Sequence, residues 1–90
     1  MPSKNVRTRA NVIVRLKEAV HDPQGETIGN VLRQLEYGSV KSVRQGKFFE
    51  LEIEAGSREE AERLAREIAA RVLSNPVLEV FEVTVTGERD

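Results

Sequence analysis

The 90 residues of this chain suffice for one domain with a single hydrophobic core, and they leave little room for an enclosed substrate cavity. The 14 basic and 15 acidic side chains give a net charge of -1, which excludes a general attraction to nucleic acid or to an anionic membrane. Cysteine is absent, so disulfides and thiolate metal sites are excluded. The sequence has no apolar segment long enough to span a bilayer and no hydrophobic signal segment, and it predicts a cytoplasmic protein.

The first strand is predicted over residues 10–17, where apolar and polar residues alternate. Residues 1–8 are polar and basic, and we expect them to form a loose N-terminal lead. Ile13 departs from the alternation, because it falls among the polar side chains of the exposed face. It is either an ordinary exposed isoleucine or part of a contact surface.

The sequence HDPQG, residues 21–25, predicts the start of the first helix. Asp22 suits the N-cap and Pro23 the first helical position, while Gly38 suits the end of the helix. Gly25 weakens the first turn, which is explained by close packing of helix on strand, by the approach of another protein backbone, or by a bound anion. Packing or protein contact is the favoured explanation. The apolar positions of the helix are Ile28, Val31, Leu32 and Leu35.

The most regular alternation in the chain follows Gly46. Its inward positions are Phe49, Leu51 and Ile53, and its outward positions are Glu50, Glu52 and Glu54. The Gln45-Gly46 step is either a hairpin turn between two strands or a glycine bulge in one long bent strand, and the bent strand is favoured. Arg44 and Lys47 flank this glycine and form a small basic spot.

The second helix is predicted by a capping box at Ser57 and Glu60 and by an apolar stripe. The stripe consists of Ala61, Leu64, Ala65, Ile68 and Val72. The predicted ion pairs on the other side join Glu59 to Arg63, Glu62 to Arg66 and Glu67 to Arg71. Asn75-Pro76 ends the helix, and a last strand follows over residues 77–86, with residues 87–90 as a loose tail.

These elements predict a single α+β domain over residues 1–90, with three or four antiparallel strands and two helices on one face, close to the ferredoxin-like plan. The opposite face carries four apolar side chains that a second copy of the chain would cover: Ile13, Phe48, Leu78 and Val80. The lone His21 has no cysteine or second histidine to complete a zinc site and no nucleophile to activate. We therefore expect neither catalytic residues nor a metal site in this chain.

Three segments in this order resemble the PurS subunit of phosphoribosylformylglycinamidine synthase: LKEAVHDPQG at residues 16–25, VRQGKFFELEIE at 43–54 and NPVLEVFEV at 75–83. The resemblance spans residues 11–85 and implies a subunit of a purine biosynthetic enzyme. The whole enzyme makes formylglycinamidine ribonucleotide from formylglycinamide ribonucleotide, glutamine and ATP. The resemblance implies that Mg-ATP belongs to a large synthase subunit and glutamine hydrolysis to a glutaminase subunit, and that this chain binds no cofactor.

The resemblance also implies a small subunit that is a dimer or a higher oligomer, bridges the two catalytic subunits and assists ammonia transfer. Six residues are predicted to contact the partner subunits: Asp22, Pro23, Gly25, Arg44, Gly46 and Lys47. One alternative is a ferredoxin-like regulatory module that binds a small molecule at the glycine-rich start of the first helix. An RNA-binding sheet is the weakest alternative, because Phe48 is the one candidate stacking aromatic on the open face.

Overall fold

A computed structural model describes residues 5–89 of the chain, and side-chain environments as far as residue 86. The elements in order are β1 (Val6–Leu16), α1 (Pro23–Gln34), β2 (Gly46–Ala55), α2 (Arg58–Ile68), a π-helical turn (Ala69–Leu73) and β3 (Glu79–Arg89). The strands form one antiparallel sheet in the order β2-β1-β3. The predicted α+β class, with a three-stranded antiparallel sheet and two helices, is confirmed.

The core lies between the sheet and α2. β1 is the central strand, and alternate residues along it are fully buried: Thr8, Ala10, Val12 and Val14. The facing residues of α2 and the π turn are alanines, namely Ala61, Ala65 and Ala69, and all three are fully buried. Small side chains on both layers let the helix approach the sheet closely. The core is therefore filled by small, closely packed side chains.

The first and last strands, β1 and β3, run further than the sequence predicted. β1 begins at Val6, which pairs with Ala55, because Thr8 is buried as an inward residue of the strand. β3 continues to Arg89, where it pairs with Arg7. The strands therefore include residues 6–8 of the predicted loose lead, residues 1–8, and residues 87–89 of the predicted tail, residues 87–90. Residues 1–4 and residue 90 lie outside the described chain.

The expectation that both helices pack on one face of the sheet holds for α2 only. α2 packs against all three strands, whereas α1 has no extensive contact with any strand. The molecule is 62 Å long, while an eleven-residue strand spans about 37 Å, so α1 projects beyond the end of the sheet. Its apolar residues find no sheet beneath them. Ile28, Val31 and Leu35 are 41%, 47% and 62% exposed.

The end of α1 and the segment that follows it differ from the sequence prediction. The helix ends at Gln34, and Glu36, not Gly38, adopts the left-handed conformation, with φ of 73°. The N–H of Tyr37 donates to the Leu32 carbonyl at 2.9 Å and so closes the helix end early. Residues 40–45 form neither a bent strand nor a fourth strand, and two of their backbone groups bond to α1 or to its N-cap, Asp22. The Val40 carbonyl accepts from the Arg33 guanidinium at 3.2 Å.

The capping box of α2 forms as predicted, with Ser57 Oγ accepting from the Glu60 N–H at 3.1 Å. The predicted ion pairs of Glu62 with Arg66 and of Glu67 with Arg71 are present at 3.1 and 3.4 Å. Arg63 lies 3.9 Å from Glu60 and is not paired with Glu59 as predicted.

The predicted apolar stripe of α2 ends one residue later than expected, at Leu73 in place of Val72. The π turn adds a residue to the helical repeat, so Leu73 packs on the core and Val72 is 74% exposed.

Candidate functional site

The open face of the sheet, opposite α2, brings together the four residues predicted for self-association. The strand register places Ile13 beside Phe48 on β2, and Val80 beside Arg15 on the same face. Leu78 lies in the turn just before β3, and its carbonyl accepts from the Lys17 N–H at 2.9 Å, which continues the hydrogen bonding between β1 and β3 past Val80. Ile13, Phe48 and Leu78 are 42%, 57% and 44% exposed. The strand register thus gives Ile13, Phe48 and Val80 one direction, and their self-association stays a prediction.

Polar residues continue this face away from the apolar patch. The register sets Arg7 opposite Glu54 and Arg9 opposite Glu52, so a basic row lies beside an acidic row. Asn11 follows, opposite Glu50. The Asn11 Oδ1 atom is shielded from solvent and accepts no hydrogen bond within residues 5–89. An acceptor that is shielded from water and unpaired costs free energy in the folded protein.

The second candidate surface is the base of α1, which is organised by Asp22. Its Oδ1 accepts from the Gly25 N–H at 2.9 Å, as expected of an N-cap, and its Oδ2 accepts from the Gln45 N–H at 2.7 Å. Asp22 is 7% exposed. The Gln45 and Gly25 N–H groups hold the pKa of the Asp22 carboxyl below its ordinary value. One carboxylate thus joins the start of α1 to the loop before β2.

The glycines at this base are explained by the chain itself. A Cβ on Gly25 would overlap the Val43 carbonyl oxygen, and a Cβ on Gly46 would lie 2.7 Å from the Val14 carbonyl oxygen. Close packing within the fold therefore fills the space that we expected a partner backbone to use. This corrects the reason given for Gly25 and Gly46 as partner-contact residues.

The charges predicted for partner contact also have partners within the chain. The Arg44 guanidinium donates to the Lys17 carbonyl at 2.9 Å, and Lys47 Nζ lies 3.6 Å from Glu79 Oε2. Asp22 is occupied by its two N–H donors. Pro23, Arg44 and Lys47 remain exposed, as does Gly46, whereas Asp22 and Gly25 are buried.

A cavity of about 240 Å³ opens between α1 and the loop over residues 41–44. His21 is one of its lining residues, and its exposed ring lies 3.9 Å from the Glu26 carboxylate. Residues 5–89 contain no group of three side chains suited to a metal ion. No helix in this part of the chain is long and apolar enough to cross a membrane.

The sequence analysis did not identify the exposed face of α1 as a surface. The apolar stripe of α1 is the same pattern that predicts a buried helix.

Comparison with known families decides the assignment. Residues 9–87 match the family described as PurS: phosphoribosylformylglycinamidine (FGAM) synthase. The chain belongs to the PurS family. PurS is a subunit of FGAM synthase, an enzyme of purine biosynthesis, and the resemblance found in the sequence is confirmed.

Curated PurS relatives cover most of the chain. The PurS subunit of Archaeoglobus fulgidus is 45% identical over 74 residues, which is 82% of this chain and 92% of that protein. The PurS subunit of Thermotoga maritima is 41% identical over 70 residues, 78% of this chain and 85% of that protein. The family match over residues 9–87 includes both candidate surfaces.

Solved PurS structures share the fold. The purS subunit from Thermotoga maritima aligns with a TM-score of 0.84 at 35% identity, over 91% of this chain and 94% of that one. A chain in the structure of PurLQS from the same organism aligns with a TM-score of 0.82 at 36% identity. That alignment covers 96% of this chain and 100% of the other.

Proposed function

We propose that this PurS chain joins the large synthase subunit to the glutaminase subunit in the cytoplasm and assists the passage of ammonia between them. The observation that carries the proposal is the uncovered apolar face of α1, formed by Ile28, Val31 and Leu35. A helix that projects beyond its own sheet and leaves this face exposed is suited to dock on another protein. Similarity to a chain of the PurLQS structure supports a role within such a complex.

The base of α1 sets the position of this docking face. Asp22 and Gly25 act from inside the fold, because they fix the helix against the loop before β2, while Gly46 lies against the Val14 carbonyl of β1. Pro23, Arg44 and Lys47 are exposed around that base and offer a polar rim to the same partner. In this proposal Mg-ATP and glutamine bind to the partner subunits, and this chain supplies position and no chemistry.

The test compares Val31→Glu with Asn30→Glu in the reconstituted enzyme. Val31 belongs to the apolar face, whereas Asn30 is exposed on the other side of α1, and a glutamate there can still accept from Arg33. We expect Val31→Glu to weaken the complex in gel filtration and to reduce glutamine-dependent synthesis much more than synthesis fed with external ammonia. Asn30→Glu should change neither. Full complex formation and full glutamine-dependent activity of Val31→Glu would place the docking surface elsewhere.

We also propose that a second copy of the chain covers the open face at Ile13, Phe48, Leu78 and Val80. Ile13 and Phe48 are 42% and 57% exposed on this face, which supports the contact. A charge buried there without a partner is costly, so Phe48→Glu should lower the assembly mass measured by light scattering. Lys41→Glu, an exposed loop change away from the sheet, is the control. A wild-type mass near 10.1 kDa at micromolar concentration would contradict the proposal.

A further inference from the structure

The cavity between α1 and the loop over residues 41–44 brings three cationic side chains together. Arg33 belongs to α1, whereas Lys41 and Arg44 belong to the loop. Within residues 5–89 none of these three forms an ion pair with a carboxylate, whereas Lys47 and Arg66 each lie within 4 Å of a glutamate. The cavity therefore collects positive charge that no ion pair of the described chain neutralises.

Backbone carbonyls hold these cations in place. The Arg33 guanidinium donates to the Val40 carbonyl at 3.2 Å. Lys41 Nζ donates to the Gly38 carbonyl at 3.1 Å, and Arg44 is held by a carbonyl in the same way at 2.9 Å. A guanidinium has five N–H donors and an ammonium has three, so within the described chain all three groups keep donors for a ligand. A ligand that binds side chains already in position loses less entropy on binding.

Gly29 leaves the space in which these donors meet. It lies four residues after Gly25, on the same face of α1, and both glycines line the cavity. The close Val43 carbonyl explains Gly25, but the nearest atoms to a Cβ on Gly29 belong to the Arg33 guanidinium, at 3.4 Å. Glycine inside a helix costs up to about 1 kcal/mol relative to alanine. Close packing does not explain that cost at Gly29, whereas an open cavity does.

Two carboxylates also line the cavity and restrict the ligand. Asp22 is occupied by the Gly25 and Gln45 N–H groups, and Glu26 lies 3.9 Å from His21. The three cations outnumber these two carboxylates, so the site favours an anion. Several cationic donors suit the three oxygens of a phosphate, and the Glu26 carboxylate is an acceptor for a hydroxyl group.

We propose that this cavity binds a small phosphate monoester that carries hydroxyl groups. The phosphate accepts hydrogen bonds from Arg33, Lys41 and Arg44, and a hydroxyl group of the same ligand donates to Glu26. A cavity of about 150 Å³ holds benzene, so the 240 Å³ here suits about ten non-hydrogen atoms. Glycerol 3-phosphate has this size and these groups.

The site lies on a different side of α1 from the docking face. Gly25, Gly29 and Arg33 follow each other at intervals of four residues, and helical geometry separates this row from Val31 and Leu35. Binding of the phosphate ester therefore does not depend on the docking of α1. The ligand joins α1 to the loop over residues 41–44.

The first experiment titrates the wild-type protein at low salt and follows its backbone amides by NMR. Glycerol 3-phosphate should shift the Gly29 and Ser42 signals in a saturable way, with a dissociation constant below about 1 mM. Inorganic phosphate should bind more weakly, and glycerol should cause no shift. Equal affinity for inorganic phosphate and glycerol 3-phosphate would overturn the assignment to a monoester. Without saturable shifts at these amides, the site itself is excluded.

The second experiment removes one cation from the cavity. Lys41→Ala should raise the dissociation constant of glycerol 3-phosphate about tenfold, because a charge-assisted hydrogen bond is lost. Arg63→Ala is the matched control, since it removes an equal charge from the exposed side of α2. It should leave the affinity unchanged. Equal weakening by both variants would mean general attraction by net charge and would overturn the proposal.

The third experiment fills the cavity. Gly29→Glu places a carboxylate four residues before Arg33, where it can pair with the guanidinium, so binding of glycerol 3-phosphate should be lost. Gln34→Glu adds the same charge at an exposed position of α1 and should keep binding. Melting temperatures show whether each variant is folded, and Lys41→Ala decides the matter if Gly29→Glu unfolds. A folded Gly29→Glu variant that binds as tightly as wild type would overturn the proposal.

Discussion

The Oδ2 atom of Asp22 accepts a hydrogen bond from the Gln45 N–H at 2.7 Å, across 23 positions of the sequence. The other oxygen caps α1. Since α1 has no extensive contact with the sheet, this carboxylate is a main link between the helix and the rest of the fold. Residues near it therefore control where the docking face of α1 lies.

Replacing Asp22 should loosen α1 before it unfolds the sheet. Asp22→Ser keeps an N-cap hydroxyl but cannot reach Gln45, while Asp22→Ala loses both hydrogen bonds. We expect amide exchange in α1 to accelerate by about tenfold in Asp22→Ala, and by less in Asp22→Ser. Amides of β1 are the internal control. Equal acceleration in α1 and β1 would show that the helix and the sheet unfold together.

The same carboxylate predicts a pH dependence. Its pKa is lowered in the folded state, mainly by the Gln45 N–H and then by the Gly25 N–H. The carboxylate therefore stabilises the fold above its unfolded pKa of about 4, and this contribution is lost as pH falls through the lower folded value. The difference in melting temperature between wild type and Asp22→Ser should be largest near pH 7 and should shrink below about pH 4. A constant difference between pH 7 and pH 2 would exclude this linkage.

Glu36 adopts a left-handed conformation that glycine adopts without steric cost. Glu36→Gly should stabilise the protein by about 1 kcal/mol, which raises the melting temperature by roughly 5 °C. Glu36→Ala is the matched control, because it removes the same side chain and keeps the strained backbone. If the two variants melt at the same temperature, the strain at this position is negligible.

The two buried glycines of α1 should respond oppositely to alanine. At Gly25 the new methyl group overlaps the Val43 carbonyl, so Gly25→Ala should lower the melting temperature and loosen α1. At Gly29 the nearest atoms belong to the flexible Arg33 guanidinium at 3.4 Å. Gly29→Ala should therefore gain up to about 1 kcal/mol of helix propensity. Thermal melts of both variants decide the matter, and destabilisation by Gly29→Ala would mean that Arg33 cannot move aside.

The π turn makes a prediction about its two apolar residues. Leu73 packs against Val12, Val14 and Ala69, whereas Val72 is 74% exposed. Leu73→Ala should cost about 2 kcal/mol, at the low end for a leucine because the side chain is only half-buried. Val72→Ala should change the free energy of unfolding by less than about 0.5 kcal/mol in urea denaturation. The reverse order would indicate a regular α-helix in place of the π turn.

Local signals in the sequence predicted the parts of the fold that depend on near neighbours. Asp22 and Ser57 are the N-caps of their helices, as expected. The alternation after Gly46 correctly predicts which face of β2 is buried. The open-face cluster around Ile13 and Phe48 could also be derived, because strand parity fixes it once the strands are known.

The rest depends on distant parts of the chain. The apolar stripe of α1 is the same whether the helix covers its own sheet or projects beyond it, so the sequence could not show that Val31 is exposed. The hydrogen bond between Asp22 and Gln45 joins residues that are far apart in the sequence, so local patterns could not predict it. Because of the added residue in the π turn, Leu73 packs on the core in place of Val72. The helical periodicity of the sequence did not predict this change.

The projection of α1 also affects how the size of this protein must be measured. Its radius of gyration is 17.5 Å, whereas a compact domain of this length has one of about 12 Å. Such a molecule diffuses slowly for its mass and elutes early from a sizing column. A monomer would then be mistaken for a dimer by elution volume alone. The number of subunits must therefore come from mass itself, by light scattering or sedimentation equilibrium.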